Sequence, residues 1–175
     1  MKHIKNISFI KLLLLLLLPA ILLLSGCGIY SLTGASVPPE AKTISIQYFP
    51  NKSALVEPTL SPVFTNLLRD KFTSQLNLDM VDRNGDLAFE GEIVGYKTMP
   101  VAIQGDQTAA MNRLTIIVNV RYVNKFEPDK DFEQKFTEFS EYSSDQDFNS
   151  VKADLVQQIS EALADDIFNK AVINW

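Results

Sequence analysis

The residues of this 175-residue chain best suited to covalent chemistry are Leu24-Ser25-Gly26-Cys27. An apolar residue and two small ones let an extended backbone enter a peptidase cleft. The thiol that follows is a side-chain nucleophile able to take an acyl group. Cys27 is the only cysteine, and His3 is the only histidine. Beyond residue 27, therefore, no Ser–His or Cys–His pair and no His/Cys zinc site can be built. Neither a Walker loop nor a Rossmann fingerprint occurs. The carboxylates of Asp165-Asp166, Glu138 and Glu141 remain as acid–base candidates. Nothing near them in sequence suggests a pocket, and solvated helix or strand surface is the plainer account. No enzymatic role and no metal are expected.

The surroundings of Cys27 sharpen its reading. Lys2, Lys5 and Lys11 form a positive start. Leu12 to Leu24 is apolar apart from Pro19, short of the roughly 20 residues that a membrane-spanning helix needs. A signal-peptide core of about 7–15 apolar residues ending in small ones fits better. A soluble core helix fits poorly, because the run has no polar face. An uncleaved anchor is the alternative. Residues 24–27 resemble the lipobox of bacterial lipoproteins. That resemblance implies removal of residues 1–26 and lipidation of Cys27, with several acyl chains as the anchor. Two chains already hold a protein stably at a bilayer. Position 28 is Gly rather than the Asp that retains lipoproteins in the inner membrane of well-studied systems. No acidic run follows. The outer membrane, on its periplasmic side, is the expected location.

Removing 26 residues leaves 149, enough for one domain with a true core. That remainder carries 13 basic and 21 acidic residues, a net charge of −8. Such a balance argues against nucleic acid and against a polybasic membrane patch as partners. Residues 27–42, with Gly28, Gly34, Pro38 and Pro39, read as a lipidated tether. Tyr30 and Leu32 within it could dock on the domain of residues 43–175.

Alternation predicts a strand from Thr43 to Phe49, with Ile44, Ile46 and Tyr48 on one side. Helical spacing follows from Thr59 to Leu76, where Leu60, Phe64, Leu67, Leu68 and Phe72 share a face. Arg69, Asp70 and Lys71 turn mostly away. Leu78 to Val81 is a candidate short strand, and Asn84-Gly85 a turn. The next strand starts at Leu87 and ends near Thr98. Gly91 and Gly95 inside it suggest a bulge or a close backbone approach. Met99 to Asn112 reads as a long loop. Leu114, Ile116, Val118, Val120 and Tyr122 then face one way in the clearest strand of the chain. Arg113, Thr115, Asn119 and Arg121 face the other way. Glu127-Pro128-Asp129-Lys130 reads as a hairpin connection into a partly exposed strand, Asp131 to Tyr142, with Phe132, Phe136 and Tyr142 on one face. Val151, Leu155, Ile159, Leu163 and Ile167 mark a second amphipathic helix, starting at Phe148 or Val151 and ending at Val172. The predicted fold is α+β. It is a two-layer sandwich of a mostly antiparallel or mixed four-stranded sheet with both helices on one face.

Several ordered segments resemble the LPS-assembly lipoprotein LptE, in a branch distant from the best-studied one. They are Gly26-Cys27-Gly28-Ile29-Tyr30-Ser31-Leu32-Thr33-Gly34, Thr43–Phe49 with Pro50-Asn51, Asn84-Gly85-Asp86-Leu87, Glu90-Gly91-Glu92-Ile93, Asn112-Arg113-Leu114-Thr115-Ile116, Asp166-Ile167-Phe168-Asn169 and Asn174-Trp175. The resemblance implies a sheet with two helices on one side. It also implies a 1:1 complex in which the domain plugs an LptD-like outer-membrane β-barrel that inserts lipopolysaccharide into the outer leaflet. No cofactor is implied beyond the lipid on Cys27. In the better-known branch, basic residues around the loop after the second long strand are associated with lipopolysaccharide contact. Here Met99 to Asn112 has no Lys or Arg. Lys97 and Arg113 flank it, and with Arg121 they are the candidate contacts. A solvated sheet face is their alternative role. For the whole chain, the alternative is another periplasm-facing lipoprotein that regulates a cell-wall synthase.

Overall fold

The computed structural model describes residues 37–101 and 110–173. Cys27, the leader, the tether before Val37, the centre of the expected long loop and Asn174-Trp175 lie outside the described residues. The elements are β1 (Thr43–Ile46), α1 (Leu60–Gln75), β2 (Asp79–Met80), β3 (Leu87–Val101), β4 (Met111–Asn124), β5 (Phe132–Ser143) and α2 (Phe148–Val172). The sheet order is β2-β1-β3-β4-β5. β1 runs parallel to both neighbours, whereas β3, β4 and β5 form an antiparallel meander. The fold is the α+β arrangement of two helices and a sheet. It has five strands rather than four, because the two-residue β2 adds itself to the edge of β1.

The even-numbered side chains of β4 point into the core, where Leu114, Ile116, Val118 and Val120 are fully buried. Leu60, Phe64, Leu68 and Phe72 of α1 cover them together with Leu155, Ile159, Leu163 and Ile167 of α2. Leu67 is only half-buried. A run of aromatic contacts ties the layers together. Phe72 meets Phe89 at 4.6 Å between ring centroids, Phe89 meets Tyr122 at 4.7 Å, and Tyr122 meets Phe132 at 5.3 Å. Offset and tilted aromatic pairs at these distances add to simple area burial.

Strand β1 departs from simple alternation. Tyr48 is 55% exposed while Phe49 is fully buried. Regular pairing stops at Ile46, and the chain then turns Phe49 inward. Its ring packs edge-on against Phe64 at 5.2 Å, and its N–H donates to Thr65 Oγ1 at 3.1 Å. Gly91 leaves the room, since a Cβ there would stand 2.7 Å from the Phe49 ring and collide with the Asn119 carbonyl. Arg69, expected to turn away, instead donates from Nε and Nη2 to the Ile46 carbonyl and closes the end of β1.

The helix starts differ. Thr59 precedes α1 without capping it through its own side chain. The Glu57 carboxylate accepts from Thr59 N–H and Oγ1, and takes a 2.8 Å ion pair from Lys152 of α2. Asp147 caps α2 by accepting from Asn149 N–H. At the start of the sheet, Asp86 accepts from Lys42 N–H, Thr43 N–H, Thr43 Oγ1 and Lys125 Nζ. These donors, led by the Lys42 amide, pull its carboxyl down to about 2.

Candidate functional site

The face of the sheet away from the helices carries the candidate residues, and a single extra residue decides which of them reach it. The β3–β4 register runs Ile93↔Val118 and then Gly95↔Ile117, so Val94 is a bulge. Before it, the inward residues of β3 are odd-numbered: Leu87, Phe89 and Ile93. After it the inward residue is Tyr96. The switch sends Lys97, Met99 and Val101 to the open face. Without it Lys97 would point at the core, where an unpaired ammonium is strongly disfavoured.

Pairing continues past the expected strand end, through Pro100↔Asn112 and Val101↔Met111. Part of the loop expected over Met99–Asn112 is therefore strand, and only its centre lies outside the described residues. Pro100 is tolerated because β3 has run beyond β1 and is itself an edge there.

Lys97 and Arg113 are diagonal neighbours across β3 and β4, since Lys97 pairs with Thr115. With Met99, Pro100, Val101 and Thr115 they line a shallow groove of about 320 Å³. Met99 is 55% exposed, and Phe139 of β5 is 49% exposed beside it. The Arg113 guanidinium lies over the Phe139 ring at 4.0 Å and is held by Glu141 Oε1, at 2.5 Å from Nη2 and 3.0 Å from Nε. An exposed ion pair of this kind contributes only about 0–1 kcal/mol, but it fixes where the cation stands. Lys97 makes no ion pair among the described residues. The result is a basic and apolar patch in which one cation is clamped and the other is not.

Arg121 lies elsewhere. It is eight residues along β4 from Arg113, roughly 27 Å at strand spacing. Its Nη1 meets Glu90 Oε1 at 2.7 Å, and Gln47 Nε2 donates to the second Glu90 oxygen. The structure thus brings Lys97 and Arg113 together and leaves Arg121 in a separate, largely acidic groove with Tyr48, Glu92 and Glu133.

Of the carboxylates singled out in the sequence, Glu138 and Asp166 come together, and Asp165 and Glu141 are each taken up by a cation. Asp165 meets Lys71 Nζ at 2.6 Å and Glu141 holds Arg113. Glu138, on the helix side of β5, is pushed above the ordinary carboxylate range by burial and then by Asp166. Among the described residues no group of three or more His, Cys, Asp or Glu is placed to hold a metal, and no helix is long and apolar enough to cross a membrane.

Met99, Phe139 and Glu141 belong to the patch but were not legible as its members. The one available signal was parity. Phe132, Phe136 and Tyr142 are even-numbered and face inward, so an odd-numbered Phe139 had to face out.

No curated protein matches the chain. Among solved structures it is similar to a minor lipoprotein from Acinetobacter baumannii, at 13% identity and TM-score 0.49, covering 74% of this chain and 91% of that one. It is similar also to rare lipoprotein B from Shewanella oneidensis, at 15% identity and TM-score 0.45, covering 73% and 92%. Lipoprotein B from Nitrosomonas europaea gives 10% identity and TM-score 0.46, over 82% and 88%. With TM-scores under 0.5, none of these adds to the family assignment. That assignment comes from the family model LptE, lipopolysaccharide-assembly, which matches residues 41–171. The match takes in every strand and all of α2 but its last residue, and on that ground the chain belongs to the LptE lipopolysaccharide-assembly family.

Proposed function

We propose that this chain is an outer-membrane lipoprotein, acylated on Cys27, whose domain partners and plugs an LptD-like β-barrel for delivery of lipopolysaccharide to the outer leaflet. The observation that carries the reading is the family match across residues 41–171. The resemblance of residues 24–27 to a lipobox supports the anchor. A barrel lumen is polar, and a plug needs a surface it can turn toward it. The open sheet face, with its scattered Glu, Asn, Thr and Arg, is of that kind. In this reading the protein acts by binding and not by turnover.

Lys97 and Arg113 are the proposed contact for lipopolysaccharide. Two adjacent cations above Met99 and Phe139 suit an amphiphile that carries phosphate beside acyl chains. Arg121 stands apart from that pair, farther along β4 in the groove with Glu90, Glu92 and Glu133.

Depletion in the native bacterium tests the proposal. Surface lipopolysaccharide should fall, wild-type protein should restore it, and Cys27→Ser should restore it poorly while losing acyl label. Unchanged surface lipopolysaccharide on depletion would contradict the reading.

A further inference from the structure

The two edges of the sheet are unlike. On one side β2 is two residues long, which blunts that edge. On the other, β5 runs for twelve residues without proline. Its register with β4 is unbroken, so no bulge bends it away. Lys135 is its only basic residue. Ser144 N–H donates to Ala110 O, so even-numbered peptide groups point toward β4. The odd-numbered groups from Glu133 to Ser143 therefore point outward, and among the described residues no strand pairs with them. Such an edge is a template for another strand.

We infer that β5 pairs antiparallel with β5 of a second copy about a two-fold axis at Phe139, giving a ten-stranded sheet in the chain free of any barrel. Side-chain complementarity selects both the occupant and the register. With the axis at Phe139 the open face sets Thr137 opposite Glu141 and Lys135 opposite Ser143. The helix side sets Phe136 opposite Tyr142 and Glu138 opposite Ser140. Within the shared ladder, residues 135–143, no like charges stand directly opposite. Moving the axis to Glu138 sets that residue against its own copy. Moving it to Thr137 sets Glu133 against Glu141. Centring on Phe136 sets Glu133 against Phe139, and centring on Ser140 shortens the shared ladder.

The helix layer agrees with the same axis. Ser140 Oγ lies 3.1 Å from Gln158 Oε1, and Glu138 lies against Asp166. Residue 139 thus sits level with Ala162, midway between Gln158 and Asp166 on α2. The two α2 helices would cross at Ala162, whose small side chain permits close approach. Gln158 would then face Asp166 of the second copy, and Asp154 would face Lys170.

Cross-linking of the purified full chain in detergent tests this. In an antiparallel hydrogen-bonded pair the Cα atoms stand about 5.5 Å apart, within the range a disulfide can span. Phe139→Cys should give a cross-linked dimer on mild oxidation, and the parent chain should give none. Adding Thr137→Pro should abolish the cross-link without lowering the melting temperature, because it removes an outward N–H that the monomer does not use. Asp154→Lys should weaken cross-linking at least several-fold, and Lys170→Asp in the same chain should restore it. The inference is overturned if Phe139→Cys stays monomeric, if it links to a different protein, or if the charge exchange fails to rescue. It does not depend on the barrel partnership, which a failure here leaves standing.

Discussion

Lys97 stands on the open face only because Val94 is an extra residue in β3. Its neighbour Arg113 is held in place by Glu141 and Phe139. If the pair contacts lipopolysaccharide, Lys97→Glu and Arg113→Glu should each reduce binding of purified lipopolysaccharide, the double variant most, by tenfold or so (about 1.4 kcal/mol or more, in the range of charge-assisted contacts). Co-purification with a barrel should persist. If both readouts persist, the pair is a solvated face. Asp86 has a different role. Its carboxyl falls to about 2 in the folded chain against an ordinary 3.8. A depressed carboxylate contributes stability that is present above 3.8 and lost as pH falls toward about 2. Asp86→Asn should therefore lower the melting temperature at pH 6, and the gap to wild type should close between pH 4 and pH 2 in circular dichroism melts.

At the scale of elements, the sheet–helix interface is the feature most open to disruption. Val118 of β4 and Leu163 of α2 are fully buried in one core. Val118→Asp or Leu163→Asp would bury an unpaired carboxylate and should cost several kcal/mol. Thermal melts should show loss of cooperative folding or a large fall in midpoint, and unchanged midpoints for both would refute a core between β4 and α2. Periodicity made both helices and the inward face of β4 legible, because long amphipathic elements repeat one signal many times. It failed where a local exception resets parity. After Ile46 the chain turns Phe49 inward into the gap over Gly91, leaving Tyr48 outside. At Val94 the bulge reverses the faces of β3, and Gly91 and Gly95 had already marked that stretch as irregular. The end of β3 was hidden by Pro100, which sequence rules assign to a loop and which an edge accepts. The clamped cation could not have been read in advance, since Arg113, Phe139 and Glu141 meet only across two strands.

At the scale of the whole molecule, the described residues supply a two-helix layer, a sheet face away from it and a long edge strand, β5, in a chain of the LptE lipopolysaccharide-assembly family. The partner is the central claim. The most direct measurement is co-purification of tagged full-length protein from detergent-solubilised envelopes, with mass spectrometry of what accompanies it. The expected result is a large LptD-like outer-membrane barrel in near 1:1 amount, retained by the Lys97→Glu, Arg113→Glu double variant. Absence of any outer-membrane barrel, or a peptidoglycan synthase in its place, would contradict the proposed function.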